Sequence, residues 1–142
     1  MKDKSYNAII EPLTKGGTVM KIAIVGSRSI TADIPENCIP ENTTEIFSGG
    51  AKGIDTSARH YAYKHHILIT DILPEYDLYG RRAPLMRNDL IISLADKVFI
   101  FWDGKSRGTN YTVKKCKETG KPYALYIYDG KDFRLLEGYP AE

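Results

Sequence analysis

Short apolar runs that end at glycine or at a polar loop recur along this chain, and helical patterns separate them. The run over residues 21–26 is rich in β-branched residues and stops at a glycine, which predicts a buried strand. The same pattern predicts strands over residues 44–48, 66–73, 97–102 and 123–128. Strands that alternate with helices are joined by right-handed crossovers, so the sequence predicts a parallel sheet covered on both faces.

The first long helix is predicted to begin near Gly53. Its buried face is expected to consist of Ile54, Ala58, Tyr61 and Ala62. On another face, Asp55 and Arg59 have the i,i+4 spacing of an ion pair. Prolines interrupt residues 30–42, so any helix in that earlier segment is expected to be short.

Two further helices follow in the second half of the chain. The first is predicted over residues 85–95, and its buried register is expected to contain Met86, Leu90 and Leu94. The second is predicted over residues 109–119, because Gly120 and then Pro122 give strong stop signals.

Together these patterns predict an α/β fold, with a Rossmann-like three-layer arrangement and a mainly parallel sheet of about five strands. Asp129-Gly130 is a hairpin turn signal that could return the chain through Phe133 to Leu136 as an antiparallel edge strand. Residues 20–142 are expected to form one domain, since a chain of 142 residues can bury a core without disulfides or metal.

Residues 1–19 are expected to be an N-terminal extension, with Gly16-Gly17 as a flexible joint. They lack the apolar core and cleavage site of a secretory signal. Cys38 and Cys116 are two lone cysteines, and no apolar run approaches the roughly 18 residues that span a bilayer. The three histidines have no metal-binding spacing. We therefore expect a cytoplasmic protein with reduced thiols, no metal and no membrane partner.

Five loop segments combine glycine with basic and hydroxyl residues where predicted strands end or a helix begins. Glycine lets backbone N–H groups approach a phosphate, a helix N-terminus adds its positive dipole end, and guanidinium or ammonium groups complete the neutralisation. In parallel α/β folds such loops meet at the carboxyl edge of the sheet, where ligands bind. We expect the ligand-binding residues to be Gly26, Ser27, Arg28, Ser48, Gly49, Gly50, Ala51, Lys52, Gly53, Asp55, Arg81, Arg82, Arg87, Asn88, Trp102, Asp103, Gly104, Ser106, Arg107, Gly108 and Thr109.

The charge of the chain is nearly balanced overall but not locally. With 20 basic and 18 acidic residues the net charge is +2, which does not favour wrapping duplex nucleic acid. The five segments are nevertheless basic, and their only acids are Asp55 and Asp103. Arg87 lies three and four residues before Leu90 and Ile91, nearer the buried side of its helix than a solvated arginine should be. A local basic pocket suits a small anionic ligand, and a nucleotide or nucleotide derivative is the first to consider.

Several of these residues also have a structural interpretation that the sequence leaves open. Asp55 could accept N–H groups at the start of its helix instead of binding a ribose hydroxyl. Trp102 could pack in the core instead of stacking on a base. Arg81 and Arg82 could be solvent-exposed loop charges instead of phosphate ligands.

Five motifs occur along the chain in the order GSRS at 26–29, SGGAKGID at 48–55, YGRRAPLMRN at 79–88, AD at 95–96 and FWDGKSRGT at 101–109. This ordered set resembles the YspA-type branch of the SLOG superfamily over about residues 20–128. Those Rossmann-like proteins are related to the DNA-processing protein DprA and to the LOG phosphoribohydrolases, loosely called lysine-decarboxylase-like. The resemblance implies a nucleotide or nucleotide-derived ligand, such as an NAD-related or ADP-ribose-like molecule, and implies no particular reaction.

The chain departs from the LOG hydrolases at a residue that their chemistry needs. Those enzymes carry a PGGxGTxxE motif whose glutamate acts with an arginine at the ribose and base. Here Thr112 lies where that glutamate would be, and a hydroxyl has no charge with which to stabilise an oxocarbenium-like centre near neutral pH. Arg87 matches the hydrolase arginine, so the catalytic candidates are Arg87 with two carboxylates elsewhere, Asp55 and Asp103.

Three functions from different classes remain, in the following order. The first is a sensor or carrier of a nucleotide derivative, with no certain cofactor. The second is a nucleotide hydrolase that cleaves an N-glycosidic or phosphoester bond with Asp55 or Asp103. The third is single-stranded DNA binding like that of DprA, which needs a basic groove with several exposed aromatic residues. The third is the least favoured because the basic residues concentrate in one pocket.

A homodimer or larger homo-oligomer is also expected. The SLOG resemblance points to one. The sequence adds that Tyr61, Tyr63, Tyr123, Tyr126 and Tyr128 offer more aromatic surface than a domain of this size readily buries.

Overall fold

The computed structural model of the protein describes residues 19–140 and shows an α/β fold built on a six-stranded sheet. The expected extension over residues 1–19, with its joint at Gly16-Gly17, lies outside the described residues except for Val19. Between residues 19 and 140, no helix has the length and apolar character that crossing a membrane requires.

The strands are β1 (Met20–Gly26), β2 (Thr43–Ser48), β3 (Leu68–Asp71), β4 (Lys97–Trp102), β5 (Tyr123–Tyr128) and β6 (Phe133–Tyr139). They lie in the order β3-β2-β1-β4-β5-β6, with β1 to β5 parallel and β6 antiparallel to β5. The predicted fold class and the antiparallel edge strand are therefore confirmed. The strand order reverses between β1 and β4, because the chain crosses from β3 at one edge to the far side of β1.

The helices are α1 (Ile54–Lys64), the single turn α2 (Tyr76–Tyr79), α3 (Ala83–Leu94) and α4 (Arg107–Thr119), with 3₁₀ turns at Glu36–Cys38 and Gly80–Arg82. Alternate residues of β1 enter two separate cores. Ile22 and Ile24 face α1, whereas Ala23 and Val25 face α3 and α4. The sheet is thus the middle layer of three, as the sequence predicted.

Strand β3 is shorter than the predicted strand over residues 66–73, because the residues before it complete the end of α1. His66 has a φ of 55°, and Ile67 donates its N–H to Ala62 O at 2.8 Å. These are features of a helix C-terminus, where a left-handed residue lets the chain turn back on the last carbonyls. The polypeptide becomes extended only after that turn.

The predicted buried face of α1 is confirmed, since Ile54, Ala58, Tyr61 and Ala62 all lie in the core. The predicted ion pair between Asp55 and Arg59 is wrong. Arg59 Nη2 instead pairs with Asp71 Oδ2 at 2.9 Å, at the end of β3. The Asp55 side chain is buried and accepts a hydrogen bond from Ala51 N in the loop before α1, so it does not reach an arginine one turn further on.

The predicted buried face of α3 is wrong. The residues assigned to it, Met86, Leu90 and Leu94, lie on the outer side of the helix, and Leu90 and Leu94 are 47% and 43% exposed. The helix is rotated so that Arg87 and Ile91 are buried instead. Apolar residues occur on every side of α3, so their spacing alone does not distinguish one buried face from another.

The tyrosines expected to form an exposed aromatic surface are mostly inside. Tyr61 and Tyr123 are buried, and Tyr126 and Tyr128 are partly buried against the core on the α1 side of the sheet. Of the five, Tyr63 is the exposed one. The aromatic argument for a homo-oligomer is therefore wrong, and the oligomeric state stays a prediction.

Gly26 brings the end of β1 too close to its neighbours to allow a side chain. A Cβ there would collide with Phe101 O of β4 and would lie 2.8 Å from Ile54 Cγ1 of α1. We expect Gly26→Ala to lower the free energy of unfolding by about 1–3 kcal/mol or more, the usual cost of overpacking a core. The matched control is Gly138→Ala in β6, where the nearest atom to the new Cβ, Tyr123 O, is 3.9 Å away. Urea unfolding measures both variants, and equal losses of stability would contradict the prediction.

Candidate functional site

A cleft of about 460 Å³ opens at the carboxyl ends of β1 and β4. The strand order reverses between these two strands, so the loops that follow them diverge to opposite faces of the sheet and leave a crevice. The cleft is lined by Val25, Gly26, Arg28, Ser29, Gly49, Ala51, Asp55, Pro84, Leu85, Arg87, Asn88, Asp103, Ser106, Gly108, Thr109 and Thr112. The edge of the sheet predicted to hold the site is the edge at which this cleft opens.

Four of the five predicted loop segments reach the cleft, and the segment over residues 79–82 does not. The residues predicted for the site that do not line the cleft are Ser27, Ser48, Gly50, Lys52, Gly53, Arg81, Arg82, Trp102, Gly104 and Arg107. Four basic side chains among these are exposed to solvent, as their loop positions allow. The positive charge that lines the cleft therefore comes from Arg28 and Arg87 rather than from the whole predicted set.

Some of the residues outside the cleft hold its loops together. Ser27 is buried, and its hydroxyl accepts a hydrogen bond from Asp103 N at 3.0 Å, which joins the loop after β1 to the loop after β4. The Trp102 indole N–H donates to Ser106 O at 3.0 Å. Gly50 has a φ of +71°, a conformation that glycine adopts without strain. For Trp102 this contact supports the structural interpretation, in which the ring packs beside its own loop.

Asp55 lies in the cleft with its carboxylate turned toward the loop that precedes α1. Its Oδ2 accepts a hydrogen bond from Ala51 N at 3.1 Å. Burial raises the pKa of the Asp55 carboxyl, and this outweighs the Ala51 N–H, the Arg87 charge and the Ser48 hydroxyl, which lower the pKa. Ala51 precedes the N-cap residue Gly53, and the helix has no side-chain cap, so this bond holds the loop and is not the expected helix cap. The same carboxyl lines the cleft.

Arg87 reaches the cleft from inside α3. It is only 9% exposed. Its Nη1 donates to Gly49 O at 2.7 Å and to Ile72 O at 3.3 Å, and its Nε donates to Asn88 Oδ1 at 2.9 Å. A Cβ on Gly49 would lie 2.6 Å from Nη1 and 2.9 Å from Asp55 Oδ2, so a glycine is needed between these two side chains. The predicted burial of Arg87 is confirmed.

Asp103 organises the loop between β4 and α4. Its Oδ1 accepts hydrogen bonds from Lys105 N and Ser106 N, each at 2.8 Å, and its Oδ2 accepts one from the Ser29 hydroxyl at 2.7 Å. Desolvation raises the pKa of Asp103, but the hydrogen bonds from these three groups and from Ser27 outweigh it and bring the pKa down to about 2. The backbone N–H groups of Lys105 and Ser106 are therefore already hydrogen-bonded to Asp103.

The first turn of α4 forms one wall of the cleft. The Ser106 hydroxyl caps the helix by accepting from Thr109 N at 3.3 Å. A Cβ on Gly108 would meet no atom within 4 Å, so the packing of the domain does not require glycine at this position. Thr112 is buried, lines the cleft and donates its hydroxyl to Gly108 O at 3.2 Å. The Thr112 hydroxyl is thus hydrogen-bonded within its own helix.

Five residues that line the cleft were not predicted from the sequence, namely Val25, Ser29, Pro84, Leu85 and Thr112. Ser29 belongs to the GSRS motif and follows Arg28 directly, so its hydroxyl could have been chosen on the same grounds. Pro84 and Leu85 lie between the arginine pair and Arg87 in the first turn of α3, and apolar side chains there carry no chemical signal of a binding site. For Thr112 the sequence predicted only the absence of a carboxylate.

Within the described range of residues, no group of three His, Cys, Asp or Glu side chains is arranged to hold a metal ion. Comparison of the chain with protein-family models, with curated proteins and with solved structures finds no match. The interpretation of the cleft therefore depends on its geometry and chemistry.

Asp55 and Asp103 are expected to affect stability with opposite signs. The raised pKa of Asp55 means that its contribution to stability is fully present below the ordinary value of 3.8 and is lost as the pH rises through the folded pKa. The lowered pKa of Asp103 means that its contribution is present above 3.8 and is lost as the pH falls toward about 2. At pH 7 we therefore expect Asp55→Asn to raise the free energy of unfolding and Asp103→Asn to lower it.

Urea unfolding at a series of pH values measures both effects. The difference in the free energy of unfolding between Asp55→Asn and the parent should shrink as the pH falls below the pKa of Asp55 in the folded protein. For Asp103→Asn this difference should shrink between about pH 4 and pH 2. Effects of the same sign at pH 7 would show that the two carboxylates do not lie in the contrasting environments described.

Proposed function

We propose that this protein binds a nucleotide or nucleotide-derived ligand in the cleft, in keeping with its resemblance to the SLOG superfamily. An NAD-related molecule, an ADP-ribose-like molecule or a nucleoside phosphate would suit the site. The role proposed is that of a sensor or carrier in the cytoplasm. The observation that carries the proposal is that Arg87 is buried, lines the cleft and takes part in none of the ion pairs found among residues 19–140.

The environment of Arg87 favours an anionic ligand. A guanidinium keeps its charge when it is buried, and a buried charge without a counterion is costly. The three oxygens that accept from Arg87 belong to two backbone carbonyls and to the Asn88 amide, so all are neutral. The Asp55 carboxylate lies across Gly49 and forms no ion pair with Arg87, although the two charges still shift each other's pKa. A phosphate in the cleft would place a negative charge in direct contact with the guanidinium, and Arg28 lines the same space.

The rest of the lining suits the other parts of a nucleotide. Ser29, Asn88 and Thr109 carry hydroxyl or amide groups that can bond to ribose or base. Pro84 and Leu85 provide an apolar surface on which a base can pack. The volume of about 460 Å³ falls within the range of about 300–1,000 Å³ found for small-molecule sites.

Gly108 adds a steric argument for a ligand at this wall. A glycine lowers the stability of a helix relative to alanine, by about 1 kcal/mol at interior positions. At Gly108 no protein atom lies within 4 Å of where a Cβ would be, so that cost has no packing reason. A ligand that approaches the backbone closely at the N-terminus of α4 would explain the glycine, because a side chain there would block the ligand. Helix N-termini favour anions.

Loss of the Arg87 charge is expected to remove nucleotide binding. The measurement is thermal unfolding with a panel of nucleoside phosphates, NAD and ADP-ribose, with inorganic phosphate and a single-stranded oligonucleotide for comparison. A ligand at about 100 times its dissociation constant should stabilise the parent by about 2.7 kcal/mol. Arg87→Gln can still form neutral hydrogen bonds but lacks the charge, so we expect it to lose this stabilisation.

Arg82→Gln is the matched control for this experiment. Arg82 immediately precedes α3, is exposed and does not line the cleft, so its substitution should leave ligand stabilisation unchanged. Nucleotide stabilisation that survives in Arg87→Gln, or its absence with every nucleotide in the panel, would count against the proposal. Stabilisation by the oligonucleotide alone, weakened in Arg82→Gln, would favour the DprA-like function instead.

A nucleotide hydrolase is the second candidate, and one observation favours it. Asp55 and Asp103 line the same cleft, and their pKa values are shifted in opposite directions, upward for Asp55 and downward for Asp103. Carboxyl groups whose environments separate their pKa values are what general-acid and general-base roles require. In this second function Asp55 would donate the proton, Asp103 would stay ionised, and Arg87 would bind the phosphate or ribose.

The parent protein is expected to release free base from nucleoside monophosphates slowly or not at all. Loss of a general acid or base lowers the reaction rate about 10²- to 10⁴-fold, and Thr112 has no carboxylate that could act as one. Thr112→Glu is expected to create measurable base release, because residue 112 lines the cleft. Thr119→Glu, on the exposed end of the same helix, is the matched control and should release none. Rapid release by the parent, monitored by chromatography, would favour the hydrolase with Asp55 and Asp103.

A further inference from the structure

The segment that connects β3 to α3 is fixed beside Arg87. Ile72 directly follows β3, and its carbonyl oxygen accepts a hydrogen bond from Arg87 Nη1 at 3.3 Å. Leu73 lies against the loop after β2, because a Cβ on Gly50 would be 2.7 Å from Leu73 Cδ2. The chain then reaches α3 at the buried Ala83, about one turn before Arg87. These contacts hold the connecting segment beside the part of the cleft that contains Arg87.

Tyr76 is the first residue of the single turn α2 in this segment, and α2 contacts α3. Tyr76 is 57% exposed. Its hydroxyl has no protein hydrogen-bond partner among residues 19–140. The Tyr111 hydroxyl, by contrast, donates to Asp89 Oδ1 at 2.9 Å. The Tyr76 hydroxyl is therefore a donor that this part of the chain leaves available to a ligand.

The Tyr76 side chain lies close to the Arg87 guanidinium. Burial lowers the pKa of Arg87, the Asp55 and Tyr76 charges raise it, and the Arg28 charge lowers it further. Arg87 lines the cleft and is almost fully buried, whereas Tyr76 lies outside the lining and is more than half exposed. Tyr76 therefore approaches the guanidinium from the solvent side, at the rim of the cleft.

The guanidinium of Arg87 has few donors left for a ligand. Its Nε donates to Asn88 Oδ1, and its Nη1 donates to Gly49 O and to Ile72 O. The nitrogen of Arg87 without a hydrogen bond to residues 19–140 is Nη2. A bidentate contact with an anion uses two nitrogens on one side of the guanidinium. Because the nitrogen on either side of Nη2 is already hydrogen-bonded to the protein, an anion meets Arg87 through Nη2.

We propose that Tyr76 is a ligand-binding residue whose hydroxyl donates to the anionic group held by Nη2 of Arg87. This role rests on the function proposed above and adds a residue that lies outside the lining of the cleft. A phosphate has three strong acceptor oxygens, so Nη2 leaves oxygens that a second donor can bind. Arg87 contacts the phosphate from within the domain, and Tyr76 contacts it from the rim. The segment after β3 thereby joins the loops after β1, β2 and β4 in forming the site.

Titration of the full chain with inorganic phosphate tests the role of Tyr76, because phosphate contains only the group that its hydroxyl binds. Thermal unfolding at constant ionic strength measures the dissociation constant. Tyr76→Phe keeps the ring and removes only the hydroxyl, so it should raise the dissociation constant about 10-fold or more, the usual effect of losing a hydrogen bond to a charged group. Tyr63→Phe is the matched control. Tyr63 is 65% exposed on α1 and lies near Arg59, so this variant should bind phosphate as the parent does.

The nucleotide panel described above gives a second measurement with the same variants, because the phosphate of a bound nucleotide should lose the same hydrogen bond. If phosphate or a nucleotide binds the parent and Tyr76→Phe equally well, the role of Tyr76 is overturned while the proposed function stands. An equal loss of affinity in Tyr63→Phe would also overturn that role, since the effect would not be specific to the rim of the cleft. If neither phosphate nor any nucleotide stabilises the parent, both the role of Tyr76 and the proposed function are overturned.

Discussion

The hydrogen bond from Arg87 to Gly49 O is the contact on which the candidate site depends. It ties α3 to the loop after β2, and a second bond to Ile72 O ties the helix to the end of β3. Apolar packing fixes how close a helix lies to a sheet but constrains its rotation less, because several apolar faces pack almost equally well. A buried guanidinium must be satisfied by particular oxygens. It therefore selects the rotation of α3 that turns Arg87 and Asn88 toward the cleft.

The glycine at position 49 is what makes that contact accessible. A Cβ there would collide with the guanidinium on one side and with the Asp55 carboxylate on the other. The loop after β2 thus serves a different purpose from the one glycine loops suggest. Gly49 leaves room for the Arg87 side chain to reach the backbone of this loop. In the proposed function, the positive charge that contacts a phosphate comes from Arg87 of α3.

The sequence predicted the face of α1 but not that of α3, and the difference is physical. In α1 the apolar residues Ile54, Ala58 and Ala62 lie on one side and polar residues on the other, so one rotation is clearly best. In α3 both sides are apolar, and the choice is made by Arg87, whose backbone acceptors Gly49 O and Ile72 O directly follow β2 and β3. Similarly, Asp103 was predicted as a ligand-binding or catalytic residue. Its loop folds so that its carboxylate already accepts hydrogen bonds from Lys105 N and Ser106 N.

By itself the sequence determined the order of strands and helices, the parallel sheet and the edge at which the polar loops meet, because these follow from local patterns of apolar residues, glycine and proline. Only the tertiary structure decided which loop residues line the cleft. Arg28 and Arg87 enter it and Arg81 and Arg82 stay in solvent, while Asp55 and Asp103 acquire opposite pKa shifts. Part of each environment, such as the Ser29 hydroxyl on Asp103 and the Arg87 charge near Asp55, comes from residues distant in the chain, so no local pattern encodes it.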